Sequence, residues 1–480
     1  MNNFLTADEF AQATGGIWLE QPTQPILGVS IDTREDLAGK MFLALRGEKT
    51  DGHSFVDAAK KAGAVAVMIE KKDCQCPGVP RLLVPNVQIA LTAAAAAWRN
   101  ILRCHCVAIT GSAGKTTTRR LIAAALEVFG ATHASPKSFN NHLGVPLSIL
   151  SAPRDTKFLV LEIGMNHPGE IEPLARLARP EVAMIVNSGS AHLGGLGSCE
   201  AIAEEKCAIS RGLDTSGTFV IHGDSPGLID IALKQKRPAG GLLILFGQGG
   251  RCLWKLFSRD VASDGSQHIV VQGPAYGGGC KIPFTLKLPG LHNAINATGA
   301  IAAVTALGLD AQKAADAMAG VLPSDGRMVR ERVGAIDIYN DSYNANPEAM
   351  LASIAAFAEV SATAKRRVVA LGDMHELGAQ SQALHHMVGE RLATAFSGNP
   401  PEIVMTSGPL SAEIARAVKA LAQQVQVEMV TDLVAEAPRL AGLLRDGDAL
   451  LIKGSRASSM ERLLEIIRLQ KSPAKSAKTS

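Results

Sequence analysis

The chain has little net charge and few aromatic side chains for its length of 480 residues. Its 48 Lys and Arg residues oppose 45 Asp and Glu residues, which gives a formal net charge of +3. So small an excess excludes the basic surface that binds nucleic acid or an acidic membrane. Aromatic residues make up 4% and hydrophobic residues 47% of the chain. This balance is typical of an α/β enzyme rather than of a disordered or disulfide-stapled chain.

Long apolar runs and zinc-type cysteine pairs are also missing. No segment approaches the ~18–20 apolar residues that span a bilayer, and the start MNNFLTADEF lacks the basic and then apolar pattern of a secretory signal. Cys74/Cys76 and Cys104/Cys106 are each separated by one residue, whereas structural zinc sites separate paired cysteines by two to four. We therefore expect a cytoplasmic protein with reduced thiols and no membrane insertion.

The length predicts about three domains. We expect a small N-terminal α/β domain over residues 1–86, a central doubly wound domain over 87–321 and a C-terminal Rossmann-like domain over 322–480, with a disordered tail from about residue 471. Alternating strands and helices in the last two segments indicate parallel sheets. The predicted strands are GVSIDTRE (28–35), CVAIT (106–110), KFLVLEIG (157–164), VAMIVN (182–187), AIDIYND (335–341), RRVVALGDM (366–374), PEIVMTSG (401–408) and ALLIKGS (449–455).

The strongest chemical signal is VAITGSAGKTTTRRLIAAAL (107–126), an apolar strand followed by a glycine-rich loop and a helix. Backbone N–H groups at such a helix N-terminus bind phosphate, Lys115 adds positive charge, and Thr116 offers a hydroxyl to Mg²⁺. Ile109 stands where the longer P-loop pattern has glycine, so this is the shorter G-x-x-G-K-T form. We predict a P-loop that contacts ATP through Gly111, Ser112, Ala113, Gly114, Lys115, Thr116 and Thr117.

Metal ligands are predicted after the neighbouring strands. Glu162 ends an apolar strand, at the edge where ligands collect in open α/β sheets. His192 follows VAMIVN and could hold a second cation, although a lone histidine is more often structural. Lys206 by itself looks like one more solvated helix lysine. HELG (375–378) begins like the zinc motif HExxH, but Ala379 occupies the place of the second histidine, so we reject zinc.

Several segments, in order, resemble the Mur ligase family over nearly the whole chain. NDSYNANP and GDMHELG, with DTR and LRGEKTDGH near the N-terminus, favour the branch that acts on UDP-N-acetylmuramoyl-tripeptide and D-alanyl-D-alanine. The segments that carry the resemblance are GSAGKTTT (111–118), SFNNHLGVPLSIL (138–150), EIGMNHPGEI (162–171), SAHLGGLGS (190–198), LPGLHNAINATGAIAA (288–303), DGRM (325–328), YNDSYNANPEAM (339–350), LGDMHELG (371–378) and KGSRASSME (453–461).

The resemblance implies a monomeric ATP-dependent ligase of peptidoglycan synthesis. In the implied reaction, the tripeptide carboxylate attacks the γ-phosphate of ATP, and the D-alanyl-D-alanine amine then attacks the resulting acyl phosphate to give the pentapeptide. Two alternatives stay open. One is another Mur-type ligase or a folylpolyglutamate-synthase-like ligase. The other is a P-loop kinase or ATPase that forms no amide and releases phosphate without either substrate.

The resemblance also implies roles for individual residues. Lys115, Glu162, His192 and Lys206 form the catalytic set, and Thr116, Glu162, His192 and Lys206 are expected to hold two Mg²⁺ ions. Lys206 aligns with a lysine that the family carries as a carbamate, which would orient the second ion. Family members continue after this lysine with Gly-Glu, where this chain has Cys207 and Ala208, and this departure weakens the transfer.

The remaining implied residues bind the nucleotide or the other substrates. Asn293 and Asn296 are expected near adenine, and Arg327, Asp341 and Tyr343 near the ribose. An asparagine at a helix start can equally be a cap. Expected contacts to the uridine nucleotide, the peptide or a transferred anion come from Asp32, Thr33, Arg34, Arg46, Gly47, Asn140, Asn141, Lys453 and Ser455.

Overall fold

The computed structural model describes most of the chain, and the tail predicted to be disordered lies beyond its last described residue. Within the described part, no helix is both long and apolar enough to cross a membrane. All eight cysteines are described and free, as expected for reduced thiols. The described ranges are residues 4–47, 49–74, 76–136, 138–235, 241–274, 280–396 and 400–471.

The N-terminal part of the chain forms a five-stranded sheet. Its elements are α1 (Ala7–Thr14), β1 (Ile17–Trp18), β2 (Gly28–Ser30), β3 (Lys40–Leu43), α2 (Val56–Lys61), β4 (Ala66–Ile69) and β5 (Arg81–Leu83). The strand order is β1-β5-β4-β3-β2. Only β1 runs antiparallel to its neighbour.

The middle of the chain forms a nine-stranded sheet in the order β14-β13-β12-β11-β10-β9-β6-β8-β7. Seven strands are parallel, and β13 and β14 add an antiparallel edge. The elements are α3 (Val87–Ile101), β6 (His105–Thr110), α4 (Lys115–Glu127), β7 (Thr132–Ala134), α5 (Gly144–Leu150), β8 (Phe158–Glu162), α6 (Ile171–Ala178), β9 (Val182–Ile185), α7 (Leu193–Leu196), α8 (Cys199–Cys207), β10 (Thr218–His222), α9 (Pro226–Lys234), β11 (Leu242–Gly247), β12 (Trp254–Val261), β13 (Gln267–Gly273), β14 (Cys280–Leu286), α10 (Leu291–Thr305) and α11 (Ala311–Met318).

The C-terminal part forms a six-stranded sheet in the order β15-β16-β20-β17-β18-β19, parallel except for the edge strand β15. The elements are β15 (Val329–Val333), β16 (Ile336–Asp341), α12 (Pro347–Val360), β17 (Arg366–Gly372), α13 (Ser381–Thr394), β18 (Ile403–Ser407), α14 (Ala412–Leu421), β19 (Gln426–Val430), α15 (Leu433–Gly442), β20 (Asp448–Lys453) and α16 (Glu461–Lys471).

The predicted three-part α/β architecture is confirmed, and each predicted strand overlaps an observed one. The apolar runs form strands of a sheet that helices cover on both faces. Side chains that point to either face of β6, β8 and β9 are therefore buried in a core. The predicted boundaries at 86/87 and 321/322 fall in connections between the sheets, with Asn86 capping α3. The boundaries themselves stay a prediction.

The first two sheets share one apolar core through helix α3. Trp98 on α3 is fully buried, contacts the ring of Phe4 with centroids 4.9 Å apart, and donates its indole N–H to the carbonyl of Ala152 at 3.0 Å. The same core includes Met41 of the first sheet and Leu161 of the second. The N-terminal and central parts are therefore packed together rather than joined by a flexible linker.

Three strand ends converge where the strand order of the central sheet reverses. The chain passes from β6 to β7 and β8 on one side and then to β9 on the other. Ile109 on β6 is in register with Glu162 on β8, and Thr110 with Ile185 on β9. In doubly wound sheets the crevice at such a reversal binds ligands, so the fold directs attention to the loops after these strands.

Candidate active site

A cavity of about 880 Å³ lies between the central and C-terminal domains, at the reversal point of the central sheet. It brings together most of the residues predicted for nucleotide, metal and peptide. The predicted residues that line it are Ser112, Ala113, Gly114, Lys115, Thr116, Thr117, Asn140, Asn141, Glu162, His192, Asn293, Asn296, Arg327, Asp341, Tyr343 and Lys453.

Side chains from two domains form hydrogen bonds with the backbone of the P-loop. Asn187, directly after β9, accepts from the Ala113 N–H at 2.9 Å and donates to the Ala113 carbonyl at 3.0 Å. Asn346, at the start of α12, donates to the Ser112 carbonyl at 3.0 Å. Lys115 bends back to the Gly111 carbonyl at 2.7 Å. Desolvation lowers the pKa of Lys115. A bound phosphate would replace that carbonyl as the partner of the ammonium group.

Gly114 cannot carry a side chain in this arrangement. Its φ is +78°, in the left-handed region, and a Cβ would lie 2.9 Å from Nδ2 of Asn296. We expect Gly114→Ala to weaken ATP-analogue binding at least about tenfold, because the new methyl group displaces either the loop or Asn296. The measurement is titration calorimetry with a non-hydrolysable ATP analogue.

Gly308→Ala is the matched control for this substitution. Gly308 has φ +77° and open space around its missing Cβ, so it carries the same backbone strain without the crowding. We expect its nucleotide affinity to stay within twofold of the wild-type value. Equal losses in both variants would mean that general strain, rather than the contact with Asn296, limits binding.

Glu162 is buried at the centre of a polar network. Thr116 donates its hydroxyl to one carboxylate oxygen and Asn140 its amide to the other, both at 2.9 Å. The Nε of Arg119 lies 3.7 Å from the same carboxylate, and it is a buried nitrogen without a hydrogen-bond partner among the described residues. The network thus juxtaposes a hydroxyl and a carboxylate beside the P-loop.

This donor set fits Mg²⁺ bound together with a nucleotide. Mg²⁺ usually takes one or two carboxylates, with the remaining positions filled by phosphate oxygens and water. In the described ranges no group of three or more His, Cys, Asp and Glu side chains is arranged to hold a metal alone. Thr116 and Glu162 would therefore hold the ion jointly with phosphates rather than as a preformed cage.

His192 lines the same cavity and is anchored by the C-terminal domain. Its Nδ1 lies 2.6 Å from a carboxylate oxygen of Glu376. Hydrogen bonding to His192 lowers the pKa of Glu376. The imidazole is thus oriented by a carboxylate through one nitrogen, the arrangement that metal-binding histidines commonly have.

Lys206 is buried behind the cavity rather than exposed on its helix. It is 1% exposed and does not line the cavity, and its side-chain ammonium group forms no hydrogen bond or ion pair with any described residue. Burial, reinforced by Lys115, lowers the pKa of Lys206 to about 7. The prediction from the local sequence alone, that Lys206 is a solvated helix lysine, is therefore wrong. A substantial fraction of the amine is then neutral near pH 7, and the neutral form is the one that reacts with electrophiles.

The two acidic residues before Lys206 differ in their surroundings. Glu205 accepts from the N–H groups of Gly169 and Ile171 at 2.8 and 2.9 Å, so it is committed to the start of α6. Glu204 is exposed to solvent.

The two predicted adenine-side asparagines are buried at the start of α10. Asn293 donates to the Pro289 carbonyl at 2.7 Å, and Asn296 lies against Gly114. Arg327 stacks on the ring of Tyr343 at 3.8 Å and donates to the Thr116 hydroxyl at 3.2 Å. The C-terminal domain thereby reaches the metal-side hydroxyl of the central domain.

Asp341 and Lys453 form a buried ion pair at 2.7 Å. They are opposite each other in the register of β16 and β20, which explains the contact. Lys453 also donates to the Asn344 carbonyl at 3.0 Å. In this structure its ammonium group is therefore used within the C-terminal domain, although it borders the cavity.

Six predicted substrate residues lie outside this cavity. Arg34 pairs with Asp32 at 2.6 Å with 88% of its side chain exposed, and Arg46 lies 3.8 Å from Glu70. Ser455 contacts Ser458. The predicted residues that do not line the cavity at all are Asp32, Thr33, Arg34, Arg46, Gly47 and Ser455, together with Gly111 and Lys206.

Residues outside the predicted set also build the site. Glu348 on α12 accepts from the Ser190 N–H at 2.8 Å and from its hydroxyl at 3.0 Å, and so ties the two domains together. Asn187 and Asn346 hold the P-loop, and Glu376 anchors His192. Asn187 follows β9 by two residues and Asn346 caps α12, so for these two a polar residue after an apolar strand or at a helix start was the available signal. Glu348, within α12, and Glu376, in the loop after β17, carry no such local signal.

Comparison with known families and proteins covers nearly the whole chain. The Mur ligase middle domain matches residues 109–304, the Mur ligase glutamate ligase domain matches 326–456, and the Mur ligase family catalytic domain matches 25–99. The Bacillus subtilis UDP-N-acetylmuramoyl-tripeptide–D-alanyl-D-alanine ligase is 33% identical over 445 residues, 92% of this chain and 93% of the relative.

Solved structures of proteins named MurF resemble this fold. MurF from Acinetobacter baumannii superposes with a TM-score of 0.83 and 26% identity, covering 98% of this chain and 100% of that one. MurF from Thermotoga maritima, solved in complex with ADP, gives a TM-score of 0.75 and 26% identity over 93% of this chain and 97% of that one.

Proposed function

The chain belongs to the Mur ligase family, and from this we propose that it joins D-alanyl-D-alanine to UDP-N-acetylmuramoyl-tripeptide with cleavage of ATP to ADP and phosphate. The product is the pentapeptide precursor of peptidoglycan. The likeness to ligases of this name over 92% of the chain carries the proposal. The cavity supports the proposal, because the P-loop, acidic and amide groups of the central domain line it together with residues of the C-terminal domain. A cytoplasmic location and a monomeric state stay predictions.

Phosphoryl transfer to the tripeptide carboxylate requires two anions to approach each other. The P-loop N–H groups and Lys115 would neutralise the β- and γ-phosphates and keep the γ-phosphorus in line with the incoming oxygen. Thr116 and Glu162 would hold Mg²⁺, with a second ion at His192. When bound, Mg²⁺ withdraws charge from the transferred phosphoryl group. Asn140 keeps the Glu162 carboxylate oriented during this step.

Lys206 would act as a carbamate. Its neutral amine attacks the carbon of CO₂, a C–N bond forms as one C–O π bond opens onto oxygen, and one proton is lost to solvent, so a buried neutral amine becomes an anion. The lowered pKa supports this chemistry, because a neutral amine is needed at physiological pH. The anion would also be balanced by Lys115, whose charge disfavours the protonated form of Lys206.

Amide formation follows when the D-alanyl-D-alanine amine attacks the acyl phosphate carbonyl. The tetrahedral intermediate collapses by expelling phosphate, and the amine proton leaves to solvent or a nearby base. The acyl phosphate must be kept from water. Glu348 and Asn346 support such exclusion, because both join the C-terminal domain to the P-loop side of the cavity. The arginines of the N-terminal domain would hold the uridine diphosphate.

The test is incubation with ATP, Mg²⁺, D-alanyl-D-alanine and UDP-N-acetylmuramoyl-tripeptides carrying lysine or diaminopimelate as third residue. We expect mass spectrometry to detect the pentapeptide, and phosphate release only when both the tripeptide and the dipeptide are present. Absence of pentapeptide with both tripeptides would reject the proposal. Phosphate release without the substrates would instead favour a P-loop ATPase. Addition of glutamate to a folate would favour a folylpolyglutamate-synthase-like ligase.

A further inference from the structure

His192 and Glu376 meet across the boundary between two domains with unusual backbone geometry. Both have φ of +66°, and they are two of the six non-glycine residues with positive φ in the described part of the chain. Residues held in this region cluster at functional sites, because the surroundings must enforce them. Here each strained residue is the side-chain partner of the other, with 2.6 Å between Nδ1 and the carboxylate oxygen.

The loops that carry them are in direct backbone contact. The Gly194 N–H donates to the Glu376 carbonyl at 2.8 Å. A Cβ on Gly378 would lie 2.9 Å from the Cα of Gly194, and a Cβ on Gly194 would lie 3.0 Å from the nitrogen of Gly378. No side chain fits between the loops, so this contact requires a close approach of the two domains.

We propose that Glu376 is a positioning residue that prepares His192 to bind a metal ion only when the C-terminal domain is docked. An imidazole that donates its Nδ1–H to a carboxylate presents the lone pair of Nε2. His192 borders the cavity, and its Nε2 has no hydrogen-bond partner among the described residues. Domain closure and completion of this metal site are then one event. The inference rests on the proposed metal role of His192.

Such coupling would protect the reaction before closure. While the domains are apart, His192 lacks its anchor and the second ion is bound weakly, so ATP is not activated in a site open to water. Glu376 touches neither nucleotide nor metal in this scheme, and its effect passes entirely through the ring of His192.

The test measures Mn²⁺ binding, as a spectroscopic substitute for Mg²⁺, in the full-length protein with a non-hydrolysable ATP analogue. We expect Glu376→Gln to weaken the His192-dependent Mn²⁺ site by about 10–100-fold, while affinity for the analogue stays within twofold. Glu390→Gln is the matched control. Glu390 faces His386 at 3.8 Å on the surface of the same domain, with about half of each side chain exposed, and its loss should change Mn²⁺ binding less than twofold.

Two further variants separate the possible failures. His192→Ala should remove the same Mn²⁺ site, and adding Glu376→Gln to it should cause no further loss. If Glu376→Gln binds Mn²⁺ normally while His192→Ala does not, the positioning role is wrong and the proposed function stands. If His192→Ala also binds Mn²⁺ normally, the metal role of His192 is itself wrong.

Gly378→Ala tests the link to closure while leaving the Glu376 carboxylate in place. The added methyl group should keep the loops apart, which X-ray scattering with the ATP analogue would detect as a larger radius of gyration. We expect Mn²⁺ affinity to fall as in Glu376→Gln. Normal Mn²⁺ binding by a protein that stays open would overturn the coupling. If Gly378→Ala does not fold, the Glu376→Gln and His192→Ala cycle still decides the positioning role.

Discussion

Replacing Lys115 with methionine is expected to lower the rate of pentapeptide formation by about 10³-fold or more. Lys115 is the first residue of α4, and its side chain lies against the P-loop, where the Gly111 carbonyl is its one hydrogen-bond partner among the described residues. Methionine keeps the length of the side chain but removes the charge that offsets the repulsion between carboxylate and γ-phosphate. The effect should fall mainly on kcat, because that charge matters most while the phosphoryl group is in transfer.

Phosphate release in the presence of all substrates measures this effect. Lys419→Met is the control, because Lys419 is exposed in the last turn of α14, in the C-terminal domain. Its rate should stay within twofold of wild type. A Lys115→Met rate reduced less than tenfold would show that the P-loop N–H groups and metal alone stabilise the transferred phosphoryl group.

Replacing Lys206 with alanine is expected to lower the same rate by about 10²–10³-fold and to leave a variant that short carboxylic acids partly restore. Lys206 is fully buried with no described hydrogen-bond partner, so truncation leaves a space of lysine size behind the cavity. Acetate or propionate at about 0.1 M would place a carboxylate where the carbamate is proposed. We expect recovery of at least tenfold, measured as pentapeptide formed against acid concentration.

Lys206→Met is the matched control for rescue, because methionine fills the space that the acid would enter. It should lose as much activity as Lys206→Ala and recover nothing. Restoration of both variants would indicate a general effect of the acid on the reaction. Failure to restore Lys206→Ala, with Mn²⁺ binding intact, would reject the carbamate.

The sequence was sufficient for the parts of the site whose residues follow a local pattern. The P-loop follows one strand and Glu162 ends the strand paired beside it. The local sequence therefore predicted both the chemical role and the location of these residues. Lys206 is different, because its burial depends on how α8 packs. By composition it was a solvated lysine, and only the resemblance to a family pointed to it.

Contacts between domains could not be predicted in the same way. Asn346 holds the P-loop and Glu376 anchors His192, yet each is 150 or more residues from its partner. Lys453 was expected to hold an anion at a helix start, but its register opposite Asp341 gives it an internal partner. Such pairings depend on tertiary packing, which no local spacing encodes.

The core shared through α3 also bears on how such an enzyme can change in evolution. Phe4, Met41 and Leu161 pack in one cluster around Trp98, so the N-terminal and central parts should unfold as one cooperative unit. Recombination that exchanged the N-terminal part for that of a relative would cut through this cluster and leave cavities or clashes. Changes in the N-terminal part are therefore expected by substitution in place, whereas the C-terminal part, whose core clusters contain only its own residues, is the segment that could be exchanged as a module.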